Sequence, residues 1–206
     1  MIREVSDEKI VKEGFYQAFY KEENFEILLS KINKGVLLDA HKHEHEQFGF
    51  CFWGKFNFIV ENTSYDIEKN TSYLIDKNLE HSANSDEDFF ALDFKYIDKD
   101  KVKISPLSSI ISGKKIKIND VTLGKHKLFR VMSQEEAASI TIDKSSNFDF
   151  FLVTEKQIAI WNAGKEINLY PMKIYKLEGC TNEDFDLRIN NPDEEMLIIQ
   201  ISRRET

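Results

Sequence analysis

The sequence predicts an all-β fold made of two similar barrels in tandem, and three observations lead there. Short runs of β-branched and aromatic residues alternate with Asn, Asp, Lys and Ser turns roughly every 8 to 12 residues, the spacing of sandwiches and barrels. Gly and Pro number only 8 and 3 while Phe numbers 16, so the chain is rich in strand formers. The stretch FGFCFWGKFNFIVENTSYDIEKNTSYLI from Phe48 also slides without a gap onto FFLVTEKQIAIWNAGKEINLYPMKIYKL from Phe150, 102 residues later.

In order, the alternation predicts strands over Phe25–Ile32, Gly35–His41, Gln47–Trp53, Lys55–Glu61, Ser72–Asp76 and Phe89–Tyr96. Ser6–Glu22 fits a helical face through Ile10, Val11, Phe15, Ala18 and Phe19, or a strand through Phe15–Tyr20. Residues 98–115, with Pro106, paired serines, Gly113 and many lysines, read as a solvated linker. Beyond it the expected strands are Lys127–Met132, Ala138–Asp143, Phe148–Val153, Gln157–Asn162, Ile174–Leu177 and Met196–Ser202. The domains expected are therefore 1–97, with an N-terminal extension, and 116–206.

The 206 residues suffice for a core without disulfides or structural metal, so any metal is expected to be functional. A net charge of −8 and the lack of a basic stripe exclude nucleic acid as an expected partner. Cys51 and Cys180 form no Cys-x-x-Cys pair and suit free thiols in a reducing cytoplasm. No apolar run is long enough for a signal peptide or a membrane span, so a soluble cytoplasmic protein is expected.

Chemistry concentrates in AHKHEHEQFGF, which holds three of the five histidines. Residues two apart on a strand share a face, so His41 and His43 can present both imidazoles to one point. A third ligand must come from elsewhere, with Gln47 and His81 as candidates. Such an imidazole-rich site suits a divalent Fe, Mn, Ni or Zn ion, and ligand type does not choose among them. His45 is expected at the pocket rim and His126 on the surface.

Gly35, His41, His43, Gln47 and Gly54 stand at the spacing of the first motif of the cupin family, with Gln47 in place of its Glu. Asn70, Asp76, Asn78 and His81 stand at the positions of the second motif, where only the metal-binding His survives. Asn tolerates positive φ best after Gly, so the two Asn replacements are mild. The resemblance implies tandem double-stranded β-helix (jelly-roll-like) barrels, with one divalent metal held by His41, His43, His81 and Gln47 in the first. At the 102-residue offset the second half offers Asp143, Ser145, Asp149 and Glu183, and no histidine, which implies a degenerate second barrel.

A neutral amide ligand leaves the ion its full charge, which favours isomerising, ring-opening or lyase chemistry over redox. HKHEHEQ and EHSANSDEDFFALD resemble the small cupins that linearise unsaturated uronates. That likeness makes Asp93 the expected catalytic acid or base and a small sugar acid or keto acid the expected substrate, although the aromatic and arginine that follow the Asp there have no clear counterpart in Phe94–Lys101. The other readings are a non-haem Fe(II) dioxygenase and a non-catalytic sensing bicupin; a homodimer is possible on either. If Gln47 points inward, Phe48, Phe50 and Phe52 point outward and must be covered by the second domain or a partner subunit; a register slip would instead make them barrel core. Cys51 would then line the barrel as inert packing.

Overall fold

The computed structural model describes residues 1–96, 111–114, 116–123, 126–135, 138–142, 148–178, 185–189 and 195–202. It divides into two compact units, one of Ser6–Asp100 and one of Met1–Val5 with Lys101–Thr206. All regular structure among the described residues is β. No helix there is long and apolar enough to cross a membrane.

The N-terminal strand β1 (Ile2–Glu4) precedes the first unit's strands. These are β2 (Asp7–Lys12), β3 (Phe15–Glu22), β4 (Phe25–Ile32), β5 (Leu38–His41), β6 (Glu46–Trp53), β7 (Lys55–Val60), β8 (Thr63–Glu68), β9 (Ser72–Ile75), β10 (His81–Asn84) and β11 (Phe89–Tyr96). They form a sheet ordered β2-β3-β4-β11-β6-β9 and a second ordered β5-β10-β7-β8. The ambiguous Ser6–Glu22 segment is a hairpin, β2 on β3. Phe15, Ile32, Cys51, Phe56, Phe58, Ile67, Ile75, Ala83, Phe89 and Ala91 fill the core. Cys51 is fully buried in that core and turns its thiol to the carbonyls of Trp53 and Gly54, as packing rather than chemistry requires.

The second unit repeats the plan with β12 (Ile111–Lys114), β13 (Ile116–Leu123), β14 (His126–Ser133), β15 (Ala138–Ile142), β16 (Phe148–Thr154), β17 (Ile158–Asn162), β18 (Lys165–Leu169), β19 (Tyr175–Leu177), β20 (Phe185–Ile189) and β21 (Glu195–Ser202). Its sheets run β1-β19-β16-β21-β14-β13 and β12-β15-β20-β17-β18. The order β13-β14-β21-β16-β19 matches β3-β4-β11-β6-β9, and β15-β20-β17-β18 matches β5-β10-β7-β8. The repeat read in the sequence is thus a repeat of topology.

Several expectations need correction. Met1–Val5 belongs with the second unit, not the first: Ile2, Arg3 and Glu4 pair with Leu177, Lys176 and Tyr175, and an Arg3–Glu178 ion pair reinforces the edge. Residues 111–114 of the expected linker are strand β12, paired with β15; residues 97–110 and Lys115 lie outside the described residues, as does Cys180. His126, expected on the surface, is buried at the start of β14, where it pairs with Leu123.

The 102-residue offset is also one residue out of phase for side chains. Phe150 and Leu152 of β16 face the core, so Asp149 faces away, beside Lys176 at 3.6 Å. Asp149 is therefore not the counterpart of Gln47, which points into its barrel. Asp143, Ser145 and Glu183 lie outside the described residues.

The turns explain the motif glycines and their substitutes. Asn70 and Asn78 both hold φ of 66°, the left-handed conformation expected of them. Gly54, at φ 82°, joins β6 to β7 so closely under the β11 entry that a Cβ would stand 2.2 Å from the Asp88 carbonyl oxygen.

Candidate metal and acid–base site

Two sheets of the first unit supply the site. His41 ends β5 and His81 begins β10, and the two are direct register partners. His43 lies in the turn that follows β5, tied down by a 2.8 Å hydrogen bond from the Asn78 amide to its carbonyl. The ring centroids of His41 and His43 lie 4.4 and 4.9 Å from that of His81 and 6.1 Å from each other. His41 is exposed at the mouth, His43 half-buried and His81 buried.

From the opposite sheet Gln47 (β6), Asp93 (β11) and Tyr73 (β9) face the same space. Gln47 does point inward, and Phe48, Phe50 and Phe52 lie on the other face of β6, as expected from alternation. They are buried there, with Phe52 stacked on Phe90 at 4.8 Å. The cavity between the sheets has a volume of about 190 Å³ and is lined largely by apolar side chains, with His41, His81, Gln47, Asp93 and Lys95 among the polar ones.

The hydrogen bonds set the protonation pattern. Each histidine turns Nδ1 to a backbone carbonyl at 2.9 Å: His41 to Asp39, His43 to His45 and His81 to Leu79. The Nδ1–H therefore donates, which leaves each Nε2 with a lone pair, the tautomer that metal-ligating histidines adopt. The His81 Nε2 is buried without a hydrogen-bond partner. The His43 Nε2 stands 2.8 Å from the Gln47 Oε1, while the Gln47 amide donates to the Asp93 Oδ1 at 2.7 Å. Two acceptors thus face each other with no proton between them.

Among the described residues, no three His, Cys, Asp or Glu side chains are yet drawn close enough around one point to hold an ion by themselves. The donor chemistry nonetheless fits one, with Gln47 as an oxygen donor outside that set. An orphaned nitrogen and an acceptor–acceptor contact are both relieved by a cation. Donors about 2 Å from one ion at right angles stand about 3 Å apart, close to the His43–Gln47 separation.

Asp93 is the hub of the hydrogen bonds on the opposite sheet. It accepts from the Tyr73 hydroxyl at 2.6 Å as well as from Gln47. Burial raises its pKa, and the Tyr73 hydrogen bond, the nearby Lys95 ammonium and the Gln47 hydrogen bond partly oppose the rise. Burial, then the adjacent Asp93 charge, pushes the Tyr73 hydroxyl well above its ordinary value, so it stays protonated and donates.

Tyr73 is the polar cavity residue that the motif reading missed. Tyr73, Gly49 and Asp93 lie abreast on β9, β6 and β11, and the ring crosses directly over Gly49. A Cβ on Gly49 would stand 1.8 Å from that ring. A lone Gly in the apolar run FGFCF was the available signal, since Gly inside a strand often marks a close approach.

Burial lowers the His81 pKa from 6.5 to about 4, so it stays neutral and able to ligate at pH 7. Between those values the unfolded chain binds the proton that the folded chain refuses, so folding stability falls as pH drops through that window. The shift corresponds to about 3 kcal/mol. In metal-free protein, thermal unfolding from pH 7 to 4 should show this loss for wild type, and a smaller loss for His81→Gln; parallel curves would contradict it.

No family model matches the chain, and no curated protein matches it by sequence. Solved structures do match its fold. A bacterial pirin, YhhW from Escherichia coli in complex with nickel(II), has a TM-score of 0.74 at 10% identity and covers 99% of this chain and 100% of its own. AerE from Microcystis aeruginosa gives 0.67 at 13% identity over 96% of both chains. Vicilin from hazelnut, Corylus avellana, gives 0.68 at 7% identity, covering 97% of this chain and 85% of its own. The fold these structures share with the chain is that of two cupin-type barrels, and the first of the two units carries the histidine cluster.

Proposed function

We propose that this protein is a metal-dependent cupin enzyme that moves a proton on a small sugar acid or keto acid, in an isomerisation, ring-opening or lyase reaction. The observation that carries the proposal is the link from His43 through Gln47 to Asp93, which places a carboxylate of raised pKa beside the imidazole cluster. His41, His43, His81 and Gln47 would hold the ion, whose Lewis acidity toward a carbonyl or carboxylate is the chemistry it supplies when bound.

Asp93 takes or returns the substrate proton at the carboxyl oxygen. Tyr73 holds that carboxyl in place and stabilises its ionised form, because the phenol donates a hydrogen bond to it. The apolar lining keeps water from competing for the proton. The nickel bound by the pirin of the same fold supports the metal part of the reading for this chain.

Proton NMR of galacturonate, unsaturated uronates and 2-keto acids tests the reading. Protein loaded in turn with iron, manganese, nickel and zinc, in deuterium oxide, should convert one class of acid or exchange its proton α to the carbonyl. Metal-free protein should not. Exchange by neither form, or equal exchange by both, would contradict the proposal.

A further inference from the structure

We infer that Lys95 is the carboxylate anchor of this cavity and that the Gln17–Ser30 pair reads a hydroxyl of the same molecule, so that the ligand is a small hydroxy-carboxylate. This rests on the proposed function for the use of the site, but not for the binding itself. Lys95 lies two residues beyond Asp93 on β11, on the same inward face, and lines the cavity opposite Gln47, its register partner. It is half-buried, and it makes no hydrogen bond or ion pair with any described residue. Its acidic neighbours by position are Asp93 and Glu26, the latter its register partner on β4; it hydrogen-bonds to neither, although its charge reaches Asp93 and lowers the pKa of that carboxyl.

An ammonium on the cavity wall that hydrogen-bonds to no side chain keeps its donors for the carboxylate of an incoming ligand. In a chain of net charge −8 it is also a local positive focus within a low-dielectric wall. Farther along the same face, level with Ala91, Gln17 donates to the Ser30 hydroxyl at 3.1 Å, and both line the cavity while being almost fully buried. The Ser30 hydroxyl keeps its own proton to donate. Lys95 and the Ser30 level are four residues apart on β11, about 13 Å of strand, a gap that the flexible lysine shortens. One cation at one end and a hydroxyl reader at the other define an acid with a polyol tail. Asp93, lying between them, disfavours a second negative charge.

Calorimetric titration of wild type, Lys95→Met, Lys95→Arg and Ser30→Ala tests this, with gluconate and galacturonate as probes and sorbitol and galactose as their uncharged counterparts. Each is run on metal-free and nickel-loaded protein, with thermal unfolding to verify folding. Wild type should prefer the acids in both states. Lys95→Met should lose about tenfold to a hundredfold in acid affinity, as for a hydrogen bond to a charged group, with no change toward sorbitol. Lys95→Arg should restore most of the loss, and Ser30→Ala should weaken acids and polyols alike.

Acid affinity unchanged in Lys95→Met, equal affinity for acids and polyols, or no acid binding at millimolar concentration would overturn the inference. The two readings fail separately. If neither nickel nor, in the same titration, iron, manganese or zinc changes acid binding while Lys95 still matters, the metal enzyme falls and the anchor stands. If nickel strengthens acid binding and Lys95→Met is indifferent, the anchor falls and the enzyme stands.

Discussion

Gly49→Ala is expected to lower stability by about 3 kcal/mol, at the upper end of overpacking costs, and to reduce the melting temperature by about 10 °C or more. The new methyl would stand 1.8 Å from the Tyr73 ring, and the ring cannot lift without giving up its hydrogen bond to Asp93. Gly35→Ala is the control, because its Cβ meets nothing within 4 Å and only the strain of φ 79° opposes it. That strain is worth about 1 kcal/mol. Tyr73→Ala in the Gly49→Ala background should recover part of the loss. Thermal unfolding of the four proteins checks this; equal melting temperatures for the two alanine variants would show that Tyr73 does not need the vacant space over Gly49.

Asp93→Asn is expected to cut deuterium exchange into the acid substrate by about 10²–10⁴-fold, the usual contribution of a positioned acid or base. The carboxylate accepts two hydrogen bonds, from Tyr73 and Gln47, and an amide offers one oxygen and a competing donor in its place. Gln47 would also be freed to turn its own amide, so the His43 contact changes with it. Metal content should persist in Asp93→Asn, since Asp93 lies behind Gln47 rather than among the proposed ligands. Exchange at the wild-type rate would remove Asp93 from the chemistry.

Much of the first barrel was legible because its strands alternate cleanly or are bounded by turn residues. Phe25–Ile32 and Phe89–Tyr96 match their predicted bounds. Thr63–Glu68 was not predicted, because only Ile67 of its six residues is buried and a solvated strand carries little apolar signal. His81–Asn84 is too short to show a period. In the second half, the run from Asp149 to Thr154 is buried on both faces. Such a run keeps no alternation, so the alignment found the strand but assigned Asp149 to the wrong side.

The site divides in the same way. His41, His43, Gln47 and His81 were readable from spacing, because a strand period and two tight turns fix their relative positions. Tyr73 and Lys95 were not. Their place in the cavity depends on which strands lie side by side in the sheet, a pairing that a single sequence does not state. The pairing of Met1–Val5 with β19 is non-local for the same reason.

The central claim is that the imidazole cluster and Gln47 form a divalent metal centre, and elemental analysis of purified wild type beside His43→Ala tests it most directly. The account predicts about one divalent ion per wild-type chain, bound as purified or after reconstitution with iron, manganese, nickel or zinc, and its loss in the variant. Wild type that binds none of these metals, or a His43→Ala protein that binds as much, would contradict it.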